Sequence, residues 1–186
     1  MLKIANKIKI GVSNCYYAKA TVTGGVVSYS TPVAFPGCCS ISLSQQGGNT
    51  DFFADNIRYY RTSSNQGYSG TIEFAYLPEG FRKTILGETE DTNGVFVETN
   101  ADTNAPFALI FQVEGDVDEE MKLLYFCEVT RPPVNANTIT DSTEVDTVTM
   151  DITCSPRPDT GEVSASTGSS TATSVISGWT GAVYTG

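Results

Sequence analysis

The stretch from Thr147 to Cys154, TVTMDITC, decides the fold: Val148, Met150, Ile152 and Cys154 alternate with Thr147, Thr149, Asp151 and Thr153. A period of two puts the apolar set on one face and the threonines on the other, the mark of a half-buried strand built from residues of high β propensity. Working outward, the same period recurs. Ile72, Phe74 and Tyr76 share a face of Thr71 to Leu77, and Phe107, Leu109, Phe111 and Val113 share a face of Phe107 to Glu114. Gly115-Asp116 then supplies a turn, and Met121 to Thr130 can return as a second hairpin arm. Shorter strands are expected at Lys7 to Val12, Tyr16 to Val22, Val26 to Ser30 and Ile41 to Ser44, with a further hairpin at Asn93-Gly94 followed by Val95 to Glu98. The opening MLKIANKIKIG spreads Lys3, Lys7 and Lys9 where a signal peptide needs a continuous apolar run, so it reads as a strand. The class is mainly β.

One helix is expected, over about residues 79–86. Pro78-Glu79 opens it, Phe81, Ile85 and Leu86 share a face, and Gly87 closes it. Gln45 to Gly70 reads as a long polar loop with glycines, asparagines and serines, yet it carries Phe52, Phe53, Tyr59, Tyr60 and Tyr68, which solvent alone does not explain. From Thr160 to Gly186, serine, threonine and glycine make up 17 of 27 residues, too polar to bury much alone. Val175, Ile176, Trp179, Val183 and Tyr184 punctuate that stretch. The expectation is therefore a β domain over 1–158, with the loop 45–70, followed by a flexible carboxy-terminal arm over 159–186 whose apolar anchors order on a partner.

The chain has 186 residues, enough for one domain with a real core. Apolar residues at 40% and charged residues at 17% argue against disorder, and the apolar runs are too short to span a membrane. With 11 basic against 21 acidic residues the formal charge is −10, which disfavours binding to nucleic acid phosphates. The same acidity also serves solubility. The absence of histidine removes the usual general base, every Ser-His-Asp or Cys-His arrangement and the commonest metal ligand.

Five cysteines, Cys15, Cys38, Cys39, Cys127 and Cys154, form no CxxC pair and read as buried small apolar side chains, not a disulfide framework. No phosphate loop, dinucleotide fingerprint, zinc spacing or nucleophile elbow occurs. The acidic run Asp116, Asp118, Glu119, Glu120 has the outline of a calcium loop, but Met121 stands where glycine is needed and Cys127 where glutamate is needed. No catalytic, metal or cofactor site is expected. Two alternatives remain open: a carbohydrate-binding β-sandwich module, and a glycoside hydrolase working through a pair of carboxylates.

Several segments in order carry a family resemblance. They are ADNIRYY at Ala54 to Tyr60, SNQGYSGTIEFAYLP at Ser64 to Pro78, FRKTILGE at Phe81 to Glu88, NGVFVE at Asn93 to Glu98, PFALIFQVEGD at Pro106 to Asp116, YFCEVTRP at Tyr125 to Pro132, SPRP at Ser155 to Pro158, and the terminal GWTGAVY. Together they make the chain resemble the major tail proteins, or tail tube proteins, of long-tailed siphophages that infect Gram-positive bacteria. The Asp118 to Glu120 run and the Cys38-Cys39 pair depart from that pattern.

The resemblance implies a β-sandwich or barrel of the tail-tube type with one short flanking helix. It also implies hexameric rings stacked into a hollow tube, in a virion tail made and assembled in the host cytoplasm, without membrane involvement. The implied partners are other copies of the chain, a tape-measure protein, and tail tip initiator and terminator proteins; genomic DNA passes through without specific binding. A tube needs two distinct surfaces per subunit. Phe52, Phe53, Tyr59 and Tyr60, with Arg58 and Arg61 at the rim, are the candidates for one contact between subunits, and Trp179 and Tyr184 for the other. Glu73, Glu114 and Glu128 lie on expected strands and are the candidates for an acidic lumen.

Overall fold

The computed structural model describes residues 7–115, 117–136 and 146–186; Lys3 of the expected first strand and Asp116 of the expected turn lie outside them. The first strand, β1 (Lys9–Thr23), joins two segments expected separately. Asn14, with φ of 47°, sits at a register shift between Ser13 and Tyr16, and this bulge is the break in alternation that divides them in the sequence. There follow β2 (Val26–Tyr29), β3 (Val33–Ala34), β4 (Cys38–Gln46), β5 (Asn49–Ala54), β6 (Ile57–Ser63) and β7 (Gly67–Phe74). The helix α1 (Glu79–Thr84), β8 (Thr89–Glu90), β9 (Phe96–Val97), β10 (Phe107–Gly115), β11 (Glu120–Val129), β12 (Val148–Ser155), β13 (Ser164–Ser166) and α2 (Thr173–Gly178) complete the order. The chain is mainly β, with two short helices among the described residues where one was expected.

One large antiparallel sheet runs β2-β1-β10-β11-β12-β7-β4, with β3 on β1 and β13 on β11. It curls until β4 comes back into contact with β1. Inside the curl lies the main core, drawn from Tyr17, Phe35, Ile72, Phe74, Phe107, Leu109, Met150 and Ile152 among others. The helix α1 closes this core. Pro78 stands at its N-cap with extended backbone, and Glu79 in the first turn and Arg82 and Lys83 in the last complement the helix dipole. Its fully buried Phe81 stacks on Phe35 at 4.6 Å and meets Tyr17 and Phe107 edge-on. The next lobe is tied down by charge: Arg131, just past β11, donates to the Leu86 carbonyl at 2.7 Å and pairs with Glu88, Glu98 and Asp102.

The strand β10 is buried over six consecutive residues, Phe107 to Gln112. Phe107, Leu109 and Phe111 enter the main core, while Ala108 and Ile110 enter a second one on the opposite face with Ala18, Met121, Leu123, Tyr125 and Trp179. A strand apolar on both faces needs two covers. The second is the carboxy-terminal segment. β13 pairs with Lys122 to Leu124 of β11, and α2 then lays Val175 and Ile176 against the outer core. The segment expected to be a flexible arm ordering on a partner thus packs on its own chain. Its polar composition is no obstacle, because a few apolar side chains meet a prepared apolar face.

The turn between β12 and β13 is an ionic knot. Arg157 is buried, gripped by both oxygens of Asp159 at 2.9 and 3.0 Å and by Glu162 at 2.9 Å, with Tyr29 and Tyr125 against its guanidinium. Asp159 also accepts the Val27 backbone N–H at 2.9 Å, which joins the knot to β2. The bonds from Arg157 and then from Val27 hold the Asp159 carboxyl at about 2, below its ordinary 3.8. In this pH range the unfolded chain binds the proton more readily, so the stabilisation is present above about pH 4 and is lost as pH falls towards 2. Melting temperature measured from pH 5 to pH 2 is expected to fall less steeply for Asp159→Asn than for the wild type; identical slopes would remove this assignment.

Candidate functional site

The segment expected as a long polar loop is a β-hairpin, β5 and β6, with β4 and β7 extending to meet it. Asp55 and Asn56 both have positive φ, 53° and 60°, the type I′ geometry that matches strand twist, and Asp and Asn tolerate it. Pairing of Phe52 with Tyr60 and of Phe53 with Arg58 leaves Tyr59 as an extra, bulged residue. By alternation, Phe52 and Tyr60 share one side. Asp51, Phe53, Arg58 and Arg61 share the other.

Phe52, Phe53, Ile57, Tyr59 and Tyr60 are 60–73% exposed. Among the described residues, neither side of the ribbon is covered, and β5 and β6 make their extensive strand contacts with each other alone. Arg58 and Arg61, expected as rim contacts, both reach Asp51, at 3.8 and 3.5 Å. Exposed pairs of that kind contribute about 0–1 kcal/mol, so they orient the ribbon and add little to its stability. A two-stranded ribbon is marginal by itself. Here a large apolar surface is held out on it in water.

Trp179 is placed differently. It is 4% exposed in the outer core, and its ring stacks on Tyr184 at 5.2 Å with an interplanar angle of 13°. Tyr184 remains 42% exposed. Trp179 is thus engaged on its own subunit, and of the two only Tyr184 offers substantial surface.

Glu73, Glu114 and Glu128 each point away from the main core, but only Glu73 and Glu128 lie on one side, that of β7, β12 and the end of β11; β10, which carries Glu114, stands across the curled sheet from β7, so the three expected lumen acids are not gathered together. Each alternates with core residues: Glu73 with Ile72 and Phe74, Glu114 with Val113, Glu128 with Cys127 and Val129. Across β4, β7 and β12 the outward face is made of Ser40, Ser42, Ser44, Ser69, Thr71, Thr149, Asp151 and Thr153. Thr147 and Ser40 donate to the Glu73 carboxylate at 2.6 and 3.0 Å and hold its pKa below the usual range. The hydroxyl face was legible in the sequence as TVTMDITC. Its continuation through ISLS required the β4–β7 register.

A cleft of about 670 Å³ opens where β1 and β4 diverge, lined by Ile10, Val12, Ile41, Leu43, Tyr68 and Phe111 with Lys9 and Lys122. Among the described residues, no carboxylate lines it. In the acidic run, Glu120 pairs with Lys122 at 3.1 Å and Glu119 is exposed. Among the described residues, no cluster of three or more metal-ligating side chains occurs. Of the cysteines, Cys15, Cys127 and Cys154 are buried as expected, whereas Cys39 is exposed at the start of an edge strand and Cys38 is half-buried. No protein-family model matches the chain, and no curated protein matches it.

Proposed function

We propose that this chain is the tail tube subunit of a long-tailed bacteriophage, assembling with copies of itself into stacked hexameric rings. The observation that carries the reading is the β5–β6 hairpin, whose aromatic side chains stand exposed on both sides of a ribbon that its own subunit leaves uncovered. Contiguous apolar surface of that kind marks a contact with another molecule. In a tube it meets the neighbouring ring, while the sheet edges, a hazard in a monomer, become contacts within the ring. The sequence resemblance supports the same reading, and by that resemblance tape-measure, tip and terminator proteins are the other partners.

In this arrangement the hydroxyl-bearing side of β4, β7 and β12 lines the lumen, with Glu73 and, beside Thr153, Glu128 as its acids. Six copies at −10 each repel DNA, and acids on that face act on it within about 8 Å at physiological salt. Lysine at both positions is expected to slow DNA ejection while tubes still form. Ejection at the wild-type rate would refute the lumen assignment.

The assembly itself is tested by negative-stain electron microscopy of the purified chain over a concentration series, alongside size-exclusion chromatography. Rings or tubes with a central channel are expected. A chain that stays monomeric at high concentration, with and without tail tip proteins, overturns the proposal.

A further inference from the structure

β11 and β12 join the two halves of the sheet, the β2-β1-β10-β11 half and the β12-β7-β4 half, through a short ladder that includes the pairs Phe126↔Ser155 to Val129↔Ile152. Cys127 and Cys154 are directly opposite in that short ladder. The Thr130 N–H donates to the Asp151 carbonyl at 2.9 Å, making the next pair in register a hydrogen-bonded one. By alternation, Cys127 and Cys154 occupy a non-hydrogen-bonded pair, where Cα atoms approach to roughly 4.5 Å. That falls within the roughly 4.4–6.8 Å that a disulfide requires. Both side chains point into the main core, both are fully buried, and their sulfurs lie 3.0 Å apart.

We propose that Cys127 and Cys154 form a cross-strand disulfide when the chain meets a small peroxide oxidant, clamping the junction between the two halves of the sheet. One sulfur, as thiolate, attacks a peroxide oxygen. The O–O bond breaks, leaving a sulfenic acid and a hydroxide that takes up the thiol's proton to become water. The second sulfur then displaces the sulfenic oxygen; the S–S bond forms, the S–O bond breaks, and the second thiol's proton leaves in another water. Two thiols and one hydrogen peroxide thus give one disulfide and two waters, with sulfur oxidised and peroxide oxygen reduced. The pairing is a property of the chain whether or not the tube reading holds.

The fold controls the rate. Burial, and then the contact with Cys154, push the Cys127 thiol well above its ordinary pKa, so thiolate is scarce while the sheet is closed. Oxidation therefore proceeds through opening of β12, more slowly than at the exposed Cys39. Cys15 and Cys38 interact across the β1–β4 seam and supply the competing pair.

The test treats the full chain and its Cys39→Ser variant with hydrogen peroxide, blocks free thiols in denaturant, and maps peptides by mass spectrometry without reduction. A linked peptide containing Cys127 and Cys154 is expected, lighter by two hydrogens than its parts and separated by dithiothreitol. The melting temperature should rise by roughly 5–10 °C and return on reduction. Cys154→Ser should show neither change. Recovery of both cysteines as blocked thiols, as sulfinic or sulfonic acids, or linked to Cys15 or Cys38 would overturn the pairing. A linked peptide with an unchanged melting temperature would overturn the clamp.

Discussion

Replacing Phe52 and Tyr60 together with serine is expected to abolish tube formation at concentrations where the wild-type chain assembles. The two rings are cross-strand partners on one side of the hairpin and stand exposed in the subunit. Aromatic anchors that become buried at an interface commonly carry about 2 kcal/mol each, so the pair costs about 4 kcal/mol per contact. That weakens association about a thousand-fold. The fold should not notice, since the rings touch little of their own subunit. The melting temperature of the variant should stay within about 2 °C of the wild type. Size-exclusion chromatography and electron microscopy read the first effect, and thermal denaturation the second. Tubes at the wild-type threshold would show that the hairpin is not an assembly contact; a large loss of stability would show that its aromatics serve the subunit instead.

The opposite pattern is expected for Trp179→Ala. Its indole is buried against Ala18, Ile110, Met121, Leu123 and Tyr125, and it anchors the segment that covers the outer face of β10 and β11. Emptying such a site costs about 4 kcal/mol, a loss of transfer energy plus the cavity left behind. For a chain of this size the melting temperature should fall by roughly 8–16 °C. Hydrogen exchange should quicken first across α2 and β13, because the segment loses its largest anchor while the main core is untouched. If both melting and exchange match the wild type in the isolated subunit, the indole does not hold the segment to its own sheet. Its role would then lie with a partner, as its sequence context first suggested.

The two variants differ because two aromatic-rich segments that look alike in the sequence meet different surroundings. Around Phe52 the ribbon offers Tyr60 on the same side and Asp51, Arg58 and Arg61 on the other, and among the described residues the hairpin joins neither core cluster. Around Trp179 the neighbours are serine, threonine and glycine, yet the other face of β10 waits for it. Ala108 and Ile110, alternating with Phe107, Leu109 and Phe111, were the one signal that this strand is covered twice. Read together with Leu123 and Tyr125 on the next strand, they call for a second apolar layer.

By itself the sequence determined the strand-rich class, most of the long strands and the helix α1. Those features follow from local periods and end signals: the alternation of Val148 to Cys154, and the Pro78 to Gly87 bracket around Phe81. It also determined which residues are acidic and which are hydroxyl-bearing. Only the tertiary structure decided that Glu73 and Glu128 share a side while Glu114 does not, that Cys127 faces Cys154, that Arg157 is enclosed by Asp159 and Glu162, and that Trp179 is covered while Phe52 is not. The physical reason is range. Alternation is set by backbone geometry within a few residues, whereas register, burial and pairing depend on strands distant in sequence, and a one-residue slip in register reverses every face.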